Sequence, residues 1–144
     1  MTTLRTTIVL LACCIFAATA SAQIVNGSFE PDSPVAGYLA LPGGSSAIPG
    51  WTTIDTGVEW YDPTAYGVGA APSGDYAVDL ANYVYSTGGI EQTFTTVPGT
   101  TYEMTFWLGT SQSNGRDGTC EIVVTADGAS QLFTAENHTY AKVW

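Results

Sequence analysis

Thr101-Tyr-Glu-Met-Thr-Phe-Trp-Leu-Gly109 decides the fold class. Tyr102, Met104, Phe106 and Leu108 alternate with Thr101, Glu103, Thr105 and Trp107, and a period of two is the signature of a strand with one buried face. Working outward, Val97-Pro-Gly-Thr100 forms the turn that leads in. A second alternating run precedes that turn, with Ile90, Gln92 and Phe94 set against Glu91, Thr93 and Thr95. Tyr76, Val78 and Leu80 alternate in the same way with Ala77, Asp79 and Ala81. On the C-terminal side, Glu121 to Thr125 reads as a strand closed by Ala126-Asp-Gly-Ala129, and Asp-Gly between two β runs signals a hairpin because both turn positions need positive φ. Residues 31–50, rich in Pro, Gly and Ser, read as a long loop with little regular pairing. Nowhere after residue 22 does an apolar period of 3.6 persist. The expected class is all-β, with a core of Phe29, Trp51, Val78, Leu80, Ile90, Phe94, Tyr102, Met104, Phe106, Leu108, Ile122 and Val124.

The first 22 residues read as a secretory signal. Arg5 gives a short positive n-region, Ile8 to Ala18 an apolar stretch too short to span a bilayer, and Ala20-Ser-Ala22 a small-x-small cleavage site that leaves Gln23 as the new N-terminus. A lipoprotein reading of Leu10-Leu-Ala-Cys13 competes with it, but the apolar run continues past Cys13 toward the better site. Residues 23–144 then form a single domain. Cys13 and Cys14 leave with the signal, so Cys120 stands without a disulfide partner and reads as a small buried strand residue.

All thirteen acidic residues follow residue 22, against Arg116 and Lys142, a formal charge of −11. Such a balance excludes phosphate backbones as partners, and it disfavours anionic membrane surfaces. The one histidine, His138, has no second histidine or nucleophile motif to form a triad or a zinc site. Asn26-Gly-Ser28 and Asn137-His-Thr139 are formal glycosylation sequons that matter only in a eukaryotic host.

Seven stretches occur in an order that carries a resemblance. They are Ile24-Val-Asn-Gly-Ser-Phe-Glu30, Ile48-Pro-Gly-Trp51, Val58-Glu-Trp60, Pro72-Ser-Gly-Asp-Tyr-Ala-Val-Asp-Leu80, Gly89-Ile-Glu-Gln-Thr-Phe94, Val97-Pro-Gly-Thr-Thr-Tyr102 and Met104-Thr-Phe106. Over residues 24 to about 136 the chain resembles galactose-binding-like jelly rolls, in particular the plant cell-wall domain of unknown function 642 and the bacterial choice-of-anchor C proteins. The resemblance implies a jelly-roll β-sandwich that is secreted or surface-attached, non-catalytic, and has affinity for polysaccharide. It also implies a structural calcium using Glu30, for which the alternative is a solvated strand-end acid. Relatives continue with further strands where this chain reaches Lys142-Val-Trp144, so its last strands are expected to be missing.

Sugar-binding faces pair an aromatic ring with carboxylates or amides. Trp107 beside Glu103, on the polar side of an otherwise buried strand, is the leading candidate; the alternative is that Trp107 packs beneath a loop. Glu59 and Tyr61 would supply the same mix if their strand lies alongside, and Tyr83 and Tyr85 are aromatic residues in a Gly-bounded loop. The leading expectation is a carbohydrate- or cell-wall-binding module for a neutral glycan. A structural or adhesive surface protein is the alternative, and a glycoside hydrolase built on two of the thirteen acids a remote one.

Overall fold

The computed structural model describes residues 23–81, 87–109, 119–136 and 141–143. Among them the chain is all-β, with no helix, and every strand pair is antiparallel. Nine strands are formed: β1 (Tyr38–Leu41), β2 (Thr52–Asp55), β3 (Val58–Tyr61), β4 (Ala77–Asp79), β5 (Gly88–Glu91), β6 (Phe106–Leu108), β7 (Thr119–Ala126), β8 (Ala129–Glu136) and β9 (Ala141–Val143). They pair as one three-stranded sheet, β1-β3-β4, and three two-stranded ones, β2-β5, β6-β9 and β7-β8.

The step from β2 to β3 carries the chain from one sheet to another in two residues. Asp55 (φ 54°) and Gly57 (φ 89°) make this corner, and Gly57 N–H donates to Ile54 O at 3.0 Å. A Cβ at Gly57 would collide with the carbonyl of Leu41, so only glycine lets the two backbones approach this closely. The β7-β8 hairpin turns through Asp127 (φ 49°) and Gly128 (φ 77°), both left-handed, as the Asp-Gly pair predicts. The turn before β6 is closed by Thr100 N–H to Val97 O at 3.2 Å, with Gly99 at φ 77° after Pro98.

Ile48, Val58, Trp60 and Leu41 form a buried apolar cluster, with Phe29, Val35, Trp51, Tyr76, Val78, Leu80 and Ile90 packed against it. Five of the expected core residues therefore pack here: Phe29, Trp51, Val78, Leu80 and Ile90. Leu41 and Ile48 come from the stretch expected to be loop, and that expectation is corrected. Between Pro34 and Pro42 lies β1, paired in register with β3 (Tyr38 with Tyr61, Leu41 with Val58). Its donors survive because the prolines flank the strand rather than interrupt it.

A second packed region joins β6 to the hairpin. Phe106 meets Phe133 edge to face, with centroids 5.1 Å apart, and Leu108 and Ala135 are buried. On β7, Cys120, Ile122 and Val124 are half-buried, while Glu121, Val123 and Thr125 face outward. Burial raises the pKa of the Cys120 thiol, which keeps it protonated and unreactive near neutrality. Two core assignments fail, since Phe94 and Met104 are exposed. Both lie outside any ladder: β5 ends at Glu91, and residues 101–105 precede β6 without pairing. Alternation of side chains is enforced by a ladder, and without one the period in the sequence does not dictate the face.

Candidate functional site

The N-terminal segment is where the sequence motifs meet. Asn26 sits at φ 50° and forms a two-way clasp with Glu30: Asn26 Oδ1 accepts from Glu30 N–H at 2.8 Å, and Asn26 Nδ2 donates to Glu30 O at 2.9 Å. The same amide donates to Pro49 O at 3.0 Å. Two indoles secure the loop from outside, Trp51 Nε1–H to Asn26 O at 2.9 Å and Trp60 Nε1–H to Phe29 O at 2.8 Å. Gln92 completes the knot, accepting from Val25 N–H (2.7 Å) and donating to Val25 O and Gly50 O. Five of the seven stretches quoted above thus share one hydrogen-bonded cluster, and their order in the chain reflects residues that bond to a common segment.

Glu30 belongs to that cluster. Its Oε1 accepts from the backbone N–H groups of Asp75 (2.8 Å) and Tyr76 (3.3 Å), and Gly74 (φ 71°) leaves the space the carboxylate fills. Calcium needs six to eight oxygens directed at one point. Here Oε1 of Glu30 and Oδ1 of Asn26 are directed at N–H donors, and among the described residues no group of three or more His, Cys, Asp or Glu side chains is placed to hold a metal. Among the described residues Glu30 tethers the loop that carries Gly74 to the N-terminal segment. A shallow cavity of about 540 Å³ lies beside it, lined by Glu30, Asp32, Asp62, Asp75, Thr64 and Tyr76 among others.

Trp107 stands on β6 between Phe106, which packs on Phe133, and Leu108, which is buried; its own side chain is 46% exposed. It therefore faces away from the packed side, as the alternation requires. Its backbone is paired with Lys142 in β9, which fixes the strand that carries the ring. Glu103 is exposed but precedes β6, and it lines a groove of about 540 Å³ with Tyr102, Met104, Phe106, Gln131 and Phe133.

Glu59 and Tyr61 lie on β3, in a sheet that has no ladder to β6. The structure does not join them to Trp107. They face outward from the β1-β3-β4 sheet, opposite Val58 and Trp60, in company that the sequence alone does not reveal. Tyr38 is directly across from Tyr61 and Asp79 directly across from Glu59. Tyr66, on the turn after β3, meets Tyr61 at 5.8 Å and 81° and Tyr38 at 6.1 Å and 72°. That turn is held by Asp62 Oδ1, which accepts from Thr64 N–H at 2.8 Å, and by Val68 N–H to Pro63 O at 3.0 Å. The signal for Tyr38 is available only through the unexpected strand β1. Tyr83, Tyr85 and His138 lie outside the described residues.

No curated protein and no solved structure matches the chain. A family model described as "Protein of unknown function (DUF642)" matches residues 22–144. That span includes every described residue, so the knot around Asn26, the tyrosine face and the Trp107 strand are all parts of the matched region, and the chain belongs to the DUF642 family.

Proposed function

We propose that this is an exported, non-catalytic module that binds a neutral polysaccharide of a cell wall or cell surface through aromatic side chains on a sheet face, built on a galactose-binding-like jelly roll. The observation that carries this reading is the outward-turned indole of Trp107, 46% exposed on a strand whose two neighbours face inward. Solvent exposure of a large ring contributes little to folding, and a ring held on a strand loses little freedom when a sugar stacks on it. The −11 charge favours a neutral chain, because a polyuronate would be repelled.

Trp107→Ala should abolish retention on insoluble neutral polysaccharides while leaving the thermal midpoint nearly unchanged. A pull-down series with thermal melts checks both. Unaltered retention by the variant, with wild-type binding present, removes Trp107 from the site; a large fall in midpoint makes it a packing residue. Export has its own readout: intact-mass analysis of secreted protein should find Gln23 first, and a diacylglycerol-modified Cys13 would replace this with a lipoprotein.

The adhesive alternative is supported by a different surface. Val123 and Leu132 oppose one another on the outer side of the β7-β8 hairpin, and both are exposed, an apolar pair that suits contact with protein better than with sugar.

A further inference from the structure

We propose that Asn26-Gly27 is a modification site: the asparagine deamidates spontaneously whenever the N-terminal segment opens, and the product prevents the segment from closing again. Asn-Gly occurs twice in the chain, at Asn26-Gly27 and at Asn114-Gly115, of which the second lies outside the described residues. The only co-reactant is water. The backbone nitrogen of Gly27 attacks Cγ of Asn26, the bond from Cγ to Nδ2 breaks, and ammonia leaves with the proton from Gly27 N. Water then adds to either carbonyl of the resulting succinimide and opens the ring, giving aspartate or isoaspartate. Glycine favours the attack, because no Cβ shields its nitrogen or restricts the backbone rotation that ring closure requires.

The fold pins both reacting groups away from this path. Cγ of Asn26 lies between Oδ1, which accepts from Glu30 N–H at 2.8 Å, and Nδ2, which donates to Glu30 O at 2.9 Å and to Pro49 O at 3.0 Å. Swinging the amide toward Gly27 breaks all three bonds. The peptide unit that carries Gly27 N is held as well, since its carbonyl, Asn26 O, accepts from Trp51 Nε1–H at 2.9 Å and from Phe29 N–H at 3.1 Å. Gly27 itself is exposed, so water reaches the site and geometry alone protects it. Ring closure waits for a local opening of segment 24–30, and its rate follows the population of that opening. The product does not fit where the amide did. Aspartate turns an oxygen toward Glu30 O and Pro49 O in place of two donors, and isoaspartate inserts its side-chain methylene into the backbone at a residue held at φ 50°. Neither remakes the clasp, so a reversible opening becomes a one-way loss, independent of any glycan bound at Trp107.

Chymotryptic mass mapping of the protein held at neutral pH, folded and in guanidinium chloride, tests the site, with Gly27→Ala alongside. Alanine fits there: Gly27 does not have positive φ, and an added Cβ meets nothing nearer than Ile24 Cγ2 at 3.5 Å. Asn26 should convert at least about tenfold more slowly in the folded wild type than in the denatured chain. Denatured Gly27→Ala should convert at Asn26 several-fold more slowly than denatured wild type. On dilution out of denaturant, the fraction of wild type that regains native tryptophan emission should fall in step with conversion at Asn26. Gly27→Ala, which retains Asn114-Gly115, should keep refolding to a nearly constant fraction over the same exposure. The comparison of folded with denatured wild type stands even if this variant does not fold. Equal conversion rates in the two states would overturn the proposal, because the clasp would then give no protection. Native refolding of converted chains with an unchanged thermal midpoint would overturn it too, as would loss of refolding in Gly27→Ala as fast as in wild type, which places the irreversible step elsewhere.

Discussion

Trp60→Ala should destabilise the domain by about 3–5 kcal/mol, the range for removing a large aromatic side chain from a core. Trp60 is 2% exposed and is among the four most buried apolar residues around which the β1-β3-β4 sheet and the N-terminal segment pack. Its loss has two parts. The cavity would open among Leu41, Ile48 and Val58, and the backbones of Leu41 and Gly57, next to Val58, are already in close contact, which limits inward collapse. The indole N–H also satisfies Phe29 O at 2.8 Å, and removing it leaves that half-buried carbonyl without this donor. Trp60→Phe separates the two, because it keeps most of the volume and deletes the donor; it should cost about 1–3 kcal/mol. Urea unfolding gives both numbers. The comparison with Trp107→Ala is the sharper check, since the same substitution on the exposed indole should cost well under about 1 kcal/mol. If the two tryptophans cost the same, the inward and outward faces assigned to β3 and β6 are wrong.

That contrast shows where the sequence is informative. The Phe106-Trp107-Leu108 alternation and the Asp127-Gly128 turn are legible because each is decided locally: a ladder enforces the period, and the turn residues set φ. Phe94 and Met104 continue the same patterns on paper, yet both are exposed, because pairing stops before Phe94 and starts only after Met104, and nothing local marks where a ladder begins or ends. Leu41 and Ile48 are hidden for the opposite reason. They sit in a stretch whose prolines and glycines signal loop, and only pairing with β3, seventeen to twenty-three residues away in the register from Leu41–Val58 to Tyr38–Tyr61, makes β1 a strand. The tyrosine face shares that fate: Tyr61 and Glu59 can be singled out as residue types, but Tyr38 and Asp79 join them only through strand order β1-β3-β4. Glu30 stands out only through a resemblance, and its partners, two backbone N–H groups, leave no trace in a sequence.

Asn26→Ala should cost about 4–5 kcal/mol, a large effect for a half-buried residue with no apolar side chain to lose. Asn26 donates to Glu30 O and Pro49 O and accepts from Glu30 N–H, so truncation removes three hydrogen bonds at about 1 kcal/mol each. A further part is conformational. At φ 50° asparagine is tolerated because its short polar side chain bonds locally, whereas alanine in the left-handed region carries a penalty of about 1–2 kcal/mol. Asn26→Gly isolates this second part, since glycine adopts that conformation freely and still lacks the amide; it should be more stable than Asn26→Ala by about 1 kcal/mol. Asn26→Asp isolates the first. It keeps an oxygen for Glu30 N–H, but it replaces the donating amide with a carboxylate facing two carbonyls, so it should be no better than alanine at neutral pH. The damage should also reach Trp51, whose indole donates to Asn26 O, and appear as a change in tryptophan emission before global unfolding. Should Asn26→Ala cost less than about 1 kcal/mol, the segment 24–30 is not held by its side chain–backbone clasp. The burden would then fall on Gln92 and the two indoles, which hold the same segment from the outside.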